Sequence, residues 1–233
     1  MDQATTPTAV FSFGRTRSER CPNKMLRPFA GTTLTDIVLG KLARVSAPAF
    51  FAGFEPEFQR RAAAHGVDFV QRDERSATID EPIDDILSFL RPLPFSHFLF
   101  INASLPFLTV ETIDEFLADC LSHDRQPAFG VTRKANHVMT LDRQPLNFDL
   151  AARTINTKTV RPVLEFAHAL YFYGKDYLFR EGTLWDWQRV RFIELGDKLQ
   201  TVDIDTDEDF RMAEALWIGL HATSSSKPAA RQA

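Results

Sequence analysis

The sequence has little of what would place it in several large classes of protein. It contains only two cysteines, Cys21 and Cys120, too few for a disulfide framework, and we expect both to be free thiols. Its longest apolar runs, 47–54 and 98–101, have the length of a strand and fall far short of the ~20 residues of a membrane span. The first residues show no basic segment followed by an apolar one, so we expect no targeting signal and a cytoplasmic protein.

The sequence also has no large net charge of either sign. Lys and Arg number 27 against 31 Asp and Glu, which gives a net charge of −4. A mildly acidic chain is a poor candidate for binding nucleic acid or an anionic membrane, and we expect neither as a partner. Hydrophobic residues make up 44% of the 233 residues, which excludes disorder, collagen and coiled coil for the chain as a whole. Most of the 21 phenylalanines should lie in a core.

Strand-like and helix-like segments alternate along the chain. This rhythm predicts an α/β fold with a mostly parallel central sheet covered by helices on both faces. We expect a single domain at 1–222 with a weakly patterned excursion at about 135–185, followed by a disordered tail at 223–233. The predicted strands are 9–13, 49–54, 67–71, 95–102, 128–132, 162–173, 190–195 and 199–204, and the predicted helices are 33–45, 57–64, 83–90, 110–121 and 205–220.

A polar, arginine-rich segment, 14–24, follows the first predicted strand directly. Ligands of parallel sheets bind outside the carboxyl ends of the strands, so a site is expected here. The segment sets Arg15, Arg20 and Lys24 among small polar groups such as Ser18, and such cations grip the oxygens of a triphosphate. It is not a Walker loop, because the pattern GxxxxGK[ST] is missing. A solvated basic loop is the alternative interpretation.

Two acids near the end of the chain, Asp203 and Asp205, are separated by one residue in a predicted strand. Alternation along a strand puts both on one face, where two carboxylates can hold Mg²⁺ beside a phosphate. Asp205 and the acids at 207–209 also suit the cap and first turn of the next helix, so both roles stay open for Asp205. A role in the helix cap does not account for Asp203, because this residue precedes the predicted helix.

A third polar segment, 102–104, follows the predicted strand 95–102. At the carboxyl end of a parallel strand, the amide of Asn102 and the hydroxyl of Ser104 could meet a ligand. A plain turn is the alternative interpretation.

Taken in order, these segments resemble the cytidylyltransferases that activate ulosonic acids, the family of the CMP-sialic acid and CMP-Kdo synthetases. The strongest match is 202–214 (VDIDTDEDFRMAE), which is similar to the family pattern IDIDT-x-x-D…AE. Segments 72–80 and 165–171 look like the family's R-P-x-E-L-A-x-D stretch and its E-N-G-A-I-Y strand. The metal-binding Asp that the Kdo branch has after its middle strand is missing, which favours the sialic-acid branch. The family's opening motif RxxSxRxPxK is matched by Arg15, Ser18, Arg20, Pro22 and Lys24.

The resemblance implies a Rossmann-like nucleotidyltransferase fold and a transfer of CMP from CTP to the anomeric hydroxyl of an acidic ulosonic sugar, with release of pyrophosphate. Sialic, legionaminic, pseudaminic and Kdo-type acids all belong to this substrate class. On the nucleotide side it implies that Arg15, Ser18 and Arg20 hold the triphosphate. Lys24 neutralises charge on the α-phosphate, and Arg72 contacts the cytosine.

On the acceptor side the resemblance implies that Asn102 and Tyr171 contact the sugar. Asp203 and Asp205 carry Mg²⁺, and Asp203 joins Lys24 and Arg15 among the catalytic residues. The family is homodimeric, which implies that the excursion at about 135–185 reaches across to the active site of a partner.

The sequence departs from the family on the sugar side. Ala167 and His168 replace the Asn-Gly of the family's E-N-G-A-I-Y strand. The family's arginine for the carboxylate of the acid sugar has no clear counterpart at 157–159, and both Lys158 and Arg161 are open as substitutes.

Two other functions stay open at this point. The pair Asp203 and Asp205 is also a DxD pattern, as in metal-dependent glycosyltransferases, although those enzymes place it in the middle of the domain. The changed sugar-side residues also fit a degenerate module that binds a nucleotide and scaffolds a partner.

Overall fold

The structure, a computed structural model, describes residues 7–153 and 155–225 and contains one sheet of seven strands. The strand order is β3-β2-β1-β4-β6-β5-β7, and the pairing is parallel except that β6 runs antiparallel to β4 and to β5. The predicted mostly parallel sheet is therefore confirmed. The strands are β1 (Thr8–Phe13), β2 (Ala49–Gly53), β3 (Asp68–Gln71), β4 (His97–Ile101), β5 (Ala128–Lys134), β6 (Val163–Gly174) and β7 (Arg191–Glu194).

Helices cover both faces of the sheet, as predicted. The side chains of β1 alternate between two apolar clusters, with Val10 in one and Phe11 in the other. Helices α1, α2, α5 and α7 pack into the cluster of Val10, and α4 and α6 into that of Phe11. The helices are α1 (Leu34–Leu42), α2 (Pro56–Ala64), α3 (Glu74–Thr78), α4 (Ile83–Ile86), α5 (Val110–Ser122), α6 (Lys175–Glu181) and α7 (Asp207–Ser225).

The high phenylalanine content builds an aromatic layer under one face of the sheet. Phe11 is fully buried, and five other phenylalanine rings lie with their centroids within 6.4 Å of its own. Large rings of this kind remove much apolar area from water and interlock in edge and stacked contacts, so they fix the sheet firmly. The neighbours of Phe11 are Phe13, Phe50, Phe89, Phe98 and Phe100.

Gly14 lets the chain leave β1 close to the helices. A Cβ atom at this position would lie 3.0 Å from the rings of both Phe51 and Phe58. A side chain at this position would force these two buried rings to shift, so glycine allows the close approach of the backbone. The segment that follows Gly14 reaches the carboxyl edge of the sheet through this close approach.

Several predicted elements are corrected by the structure. The segment 199–204 is not a strand: it forms one 3₁₀ turn at Leu199–Thr201, and the amide of Ile204 donates to the carbonyl of Ser104 at 3.1 Å. The predicted helix 83–90 is divided into α4 and a 3₁₀ turn at Ser88–Leu90. The short helices α3 and α6 were not predicted.

The end of the chain also differs from the prediction. Helix α7 continues to Ser225, past the predicted helix end at 220 and into the segment expected to be a disordered tail. Residues 226–233 of that tail lie outside the described residues. The two cysteines are free, as expected, and both are buried. Within the described ranges, none of the helices combines the length and the apolar character that a bilayer crossing requires.

Candidate active site

A cavity of about 720 Å³ opens at the carboxyl edge of the sheet. The segment after β1 forms one wall, and residues 102–104, which follow β4, form another. Strand β6 passes this edge beside β4, because Ile101 pairs with Leu170, and thereby adds His168 and Tyr171 to the lining. The topology brings three segments that are far apart in sequence to one site.

Three cations line one end of the cavity, and each faces a carboxylate. Arg15 donates to the Oδ1 atom of Asp80 at 2.6 Å. Arg20 and Lys24 both face the Oδ1 atom of Asp205, at 3.0 and 3.7 Å. The ammonium of Lys24 also donates to the carbonyl of Ile204 at 2.5 Å, and its side chain is only 15% exposed. Ser18 lines the same end, so all the residues predicted from 14–24 are together.

The segment after β1 is tied to distant parts of the chain. The backbone amide of Thr16 donates to the Oε1 atom of Glu55 at 2.9 Å. Arg27, just beyond the segment, donates to the Oδ1 atom of Asp207 at 2.6 Å, and the Sγ atom of Cys21 lies 3.6 Å from the same oxygen. These contacts fix the segment on the start of α7 and on the chain that precedes α2.

Asp205 does not cap helix α7. The hydroxyl of Thr206 accepts from the amide of Asp209 at 3.2 Å, and the Oδ2 atom of Asp209 accepts from the amide of Thr206 at 2.8 Å. This reciprocal pair is a capping box, and it satisfies the first turn without the Asp205 side chain. The carboxylate of Asp205 is therefore available to the cations of the cavity.

Asp203 lies beside the cavity rather than in its lining. A strand at 199–204 was expected to place Asp203 and Asp205 on one face. No strand forms in this part of the chain, so the prediction of a shared strand face was wrong. Burial, and then the charge of Asp205, raise the pKa of Asp203, while Lys24 lowers it. The Oδ1 atom of Asp203 is buried and has no hydrogen-bond partner among the described residues.

Asn102 connects the three segments at the centre of the site. Its Nδ2 atom donates to the carbonyl of His168 at 2.9 Å and to the Oδ2 atom of Asp203 at 3.3 Å. Its Oδ1 atom accepts from the amide of Ser104 at 2.9 Å. The amide of Asn102 thus fixes β4, β6 and the segment before α7 relative to one another.

The end of the cavity formed by β6 is aromatic. Phe100, Tyr171 and Trp185 line it, together with His168. The Nδ1 atom of His168 lies 2.6 Å from the hydroxyl of Tyr171. Burial, and then the charge of Asp203, raise the pKa of Tyr171 to about 12, so its hydroxyl stays protonated at neutral pH. The sequence showed His168 only as a departure from a family pattern and gave no sign of this pairing.

Arg72, assigned to the cytosine from the resemblance, lies behind the cavity wall. Its side chain is 1% exposed, and its guanidinium lies 4.7 Å from the centroid of the Phe13 ring, which does line the cavity. The guanidinium donates to the hydroxyl of Ser76 at 3.0 Å, and burial lowers its pKa to about 10. Arg72 therefore shapes the wall and touches no cavity surface. Lys158 and Arg161, the two open substitutes, are exposed and are not part of the described lining.

The two carboxylates near Lys24 fit a magnesium ion bound together with a phosphate. The described residues contain no group of three or more His, Cys, Asp or Glu side chains that could hold a metal by themselves. Mg²⁺ is commonly held by one or two carboxylates plus substrate phosphates and water, so a smaller set is sufficient. The unpartnered Oδ1 atom of Asp203 is an acceptor of the required kind.

The chain is similar to known nucleotidyltransferases. Residues 14–171 match the family model of the MobA-like NTP transferase domain. No curated protein sequence is significantly similar to the chain. Three solved structures share its Rossmann-like nucleotidyltransferase fold, and at these identities they show the fold alone.

The first of these structures is a CMP:2-keto-3-deoxy-manno-octonic acid synthetase complexed with CTP, with a TM-score of 0.69 and 14% identity over 92% of this chain and 99% of that one. A 4-diphosphocytidyl-2C-methyl-D-erythritol synthase from Anaerococcus prevotii has a TM-score of 0.61 and 12% identity, over 91% and 96% of the two chains. A cytidylyltransferase from Leptospira borgpetersenii has a TM-score of 0.59 and 12% identity, over 97% and 98%.

A buried lysine supports the floor of the cavity. The ammonium of Lys41 on α1 donates to the carbonyl of Leu105 at 2.7 Å, directly after the residues 102–104 that line the cavity. Burial lowers the pKa of Lys41 to about 7, and the charge of Arg44 adds to the effect. Between pH 7 and the ordinary lysine pKa, the unfolded chain therefore binds more protons at this position than the folded one. Stability contributed by this residue rises with pH across that window.

We expect Lys41→Met to remove this pH dependence. As the pH rises from 6 to 9, the free energy of unfolding of the parent should gain about 2 kcal/mol relative to Lys41→Met. Urea denaturation of both proteins at each pH measures the difference, with the exposed Lys158→Met as the matched control. A constant difference between parent and Lys41→Met from pH 6 to 9 would contradict the assignment.

Proposed function

The chain belongs to the family of MobA-like NTP transferase domains, and from this premise we propose that it is a cytidylyltransferase. In this proposal it joins CTP to the anomeric hydroxyl of an acidic ulosonic sugar and releases pyrophosphate. The observation that carries the proposal is the placement of Arg15, Arg20 and Lys24 at one end of a cavity whose other end is aromatic and polar. The matches to RxxSxRxPxK and IDIDT, and three structural neighbours named for cytidylyl chemistry or CTP, support the choice of cytosine.

The cations of the first segment would receive the triphosphate. In the free protein Arg20 and Lys24 share the carboxylate of Asp205, and Arg15 is paired with Asp80. Phosphate oxygens would replace part of these contacts, with Ser18 as a further hydrogen-bond donor. Lys24 is the least exposed of the three cations, so its charge is the least screened by water. That position suits it to stabilise charge that grows on the α-phosphate in the transition state.

Asp203 and Asp205 would hold Mg²⁺ next to the bound triphosphate. The ion would supply positive charge against the triphosphate oxygens. The structure supports this set through the unpartnered acceptor of Asp203 and through Asp205, whose carboxylate is not needed by the helix cap. The raised pKa of Asp203 is consistent with a buried carboxylate that faces another carboxylate.

The acceptor would lie between the cations and β6, in contact with Asn102 and Tyr171. Both residues line the cavity, and each has a polar atom there. We also propose that the protein is a homodimer with the excursion at about 135–185 in the interface. Large apolar side chains of the excursion are exposed, which supports a covered face: Leu141, Leu146, Leu150 and Ile155.

The proposed function predicts release of pyrophosphate only with the right pair of substrates. The protein is incubated with each of the four NTPs and with N-acetylneuraminate, Kdo or a related acid, and pyrophosphate is measured. We expect release with CTP and at least one of these acids, because one cavity is lined both by the cations of the segment after β1 and by polar residues of β4 and β6. CTP binding without turnover across the acids would favour the nucleotide-binding module. Transfer from a nucleotide sugar to an acceptor would favour the glycosyltransferase.

Lys24→Ala should reduce turnover more than CTP binding. Loss of one preorganised charge at the α-phosphate is expected to lower kcat by about 10²–10³-fold, with less than about tenfold loss of CTP affinity. Steady-state kinetics and calorimetric titration of CTP give the two quantities. Arg17→Ala is the matched control. Arg17 belongs to the same segment, but it is exposed and is not among the residues that line the cavity. Equal losses of kcat and affinity would make Lys24 a ground-state contact only.

Asp205→Asn should weaken the dependence on Mg²⁺ while leaving the helix intact. The amide keeps the shape of the side chain but removes the charge, and the cap of α7 belongs to Thr206 and Asp209. The Mg²⁺ concentration for half-maximal rate should rise about tenfold or more, with an unchanged melting temperature. Glu208→Gln, in the exposed first turn of α7, is the control. A Mg²⁺ titration that coincides with the parent's would remove Asp205 from the metal site.

A further inference from the structure

His168 occupies an irregular point of β6 at the cavity. The register between β5 and β6 shifts there: Phe129 pairs with Tyr171, whereas Val131 pairs with Phe166. His168 falls inside this bulge and has a left-handed backbone with φ of 49°. Bulges redirect side chains and are frequent beside active sites. The bulge here places the imidazole in the cavity lining.

The ring and the backbone of His168 each have a hydrogen-bond partner in the site. The hydroxyl of Tyr171 lies 2.6 Å from the Nδ1 atom, and the carbonyl of His168 accepts from Asn102 at 2.9 Å. The Tyr171 hydroxyl, which stays protonated, can donate to Nδ1, and in that arrangement the neutral ring carries its proton on Nε2. The Nε2 atom has no protein partner among the described residues, so this N–H group is left for a ligand.

The β6 side of the cavity otherwise has no side-chain cation in its described lining. Arg15, Arg20 and Lys24 all come from the segment after β1, and each already faces a carboxylate. Asp203 lies behind Asn102 and adds negative charge at the β6 side. An acceptor that carries a carboxylate needs a compensating donor there, since an unpaired buried anion is costly.

We propose that the Nε2–H group of His168 binds the carboxylate of the acceptor, which makes His168 the residue that distinguishes acidic acceptors from neutral ones. This inference rests on the proposed function and deepens it. With Tyr171 donating to Nδ1, Nε2 is the donor of the neutral ring, and it is a donor in the protonated ring as well, so the contact does not need a charged histidine. Lys158 and Arg161 are not required for this role, and both are exposed away from the described lining.

The test compares two enzymes with two substrates. The acid from the pyrophosphate-release assay with the highest rate is used beside its methyl ester, which keeps the sugar and loses the charge. In His168→Asn the KM for the acid should rise about tenfold or more, while the KM for the ester and that for CTP stay the same. Asparagine tolerates the left-handed backbone, so the bulge should be retained. His123→Asn, at the exposed end of α5, is the matched control.

Two further variants test whether the preference for the acid depends on the imidazole of His168. His168→Gly accepts the same backbone and should lose the same preference for the acid. Tyr171→Phe keeps the ring of residue 171 but frees the imidazole, and should reduce the preference for the acid by less than His168→Asn does. An unchanged ratio of acid to ester efficiency in His168→Asn and His168→Gly would overturn the inference while the proposed function stands. No pyrophosphate from the parent with any acid would instead refute the proposed function, and this inference with it.

Discussion

The carboxylate of Asp205 is the contact on which the arrangement of the site depends. It faces Arg20 at 3.0 Å and Lys24 at 3.7 Å, and so joins the segment after the first strand to the segment before the last helix. The cations between residues 15 and 27 would repel one another if the segment stood alone. Each of Arg15, Arg20, Lys24 and Arg27 is instead paired with an acid from a remote part of the chain. The basic segment is therefore ordered before any anion binds, which lowers the cost of ordering it on binding.

These ion pairs are also weak enough to be exchanged. The side chains of Arg20 and Asp205 are 67% and 44% exposed, and ion pairs of that kind contribute at most about 1 kcal/mol each. A triphosphate brings several negative charges and can replace such partners at little cost. The rigid part of the molecule lies below, where the rings around Phe11 fix β1 and β4 and hence the positions from which both segments emerge. A firm sheet thus carries a site whose surface contacts are easily rearranged.

The sequence was sufficient to predict what depends on local pattern. The apolar runs and helical spacing predicted most of the strands and the longer helices, and the place of the cationic segment at the edge of the sheet was predicted from its position after β1. What it could not show are contacts set by distant partners. The apolar residues around Ile204 have the pattern of a strand, yet its amide bonds to Ser104 and no strand pairing forms. Arg72 follows β3 as a surface cation would, but the rings of Phe13 and Phe89 lie against it.

The antiparallel strand β6 contributes residues to the cavity in a different way from the parallel strands β1 and β4. In the parallel part of the sheet, the cavity is reached by the segments that follow β1 and β4 and by side chains near the ends of these strands, Phe13 and Phe100. Strand β6 runs the other way: it pairs with β4 from His97 to Ile101, while its earlier residues extend past that edge, and 163–166 pair with β5. In the proposed function, the bulge in this extension sets which β6 side chains face the acceptor, while β1 and β4 keep their regular pairing. The departures from the family pattern at Ala167 and His168 lie in that extension, whereas RxxSxRxPxK is intact. In the proposed function, a different acceptor would therefore require changes on β6 and none in the cationic segment after β1.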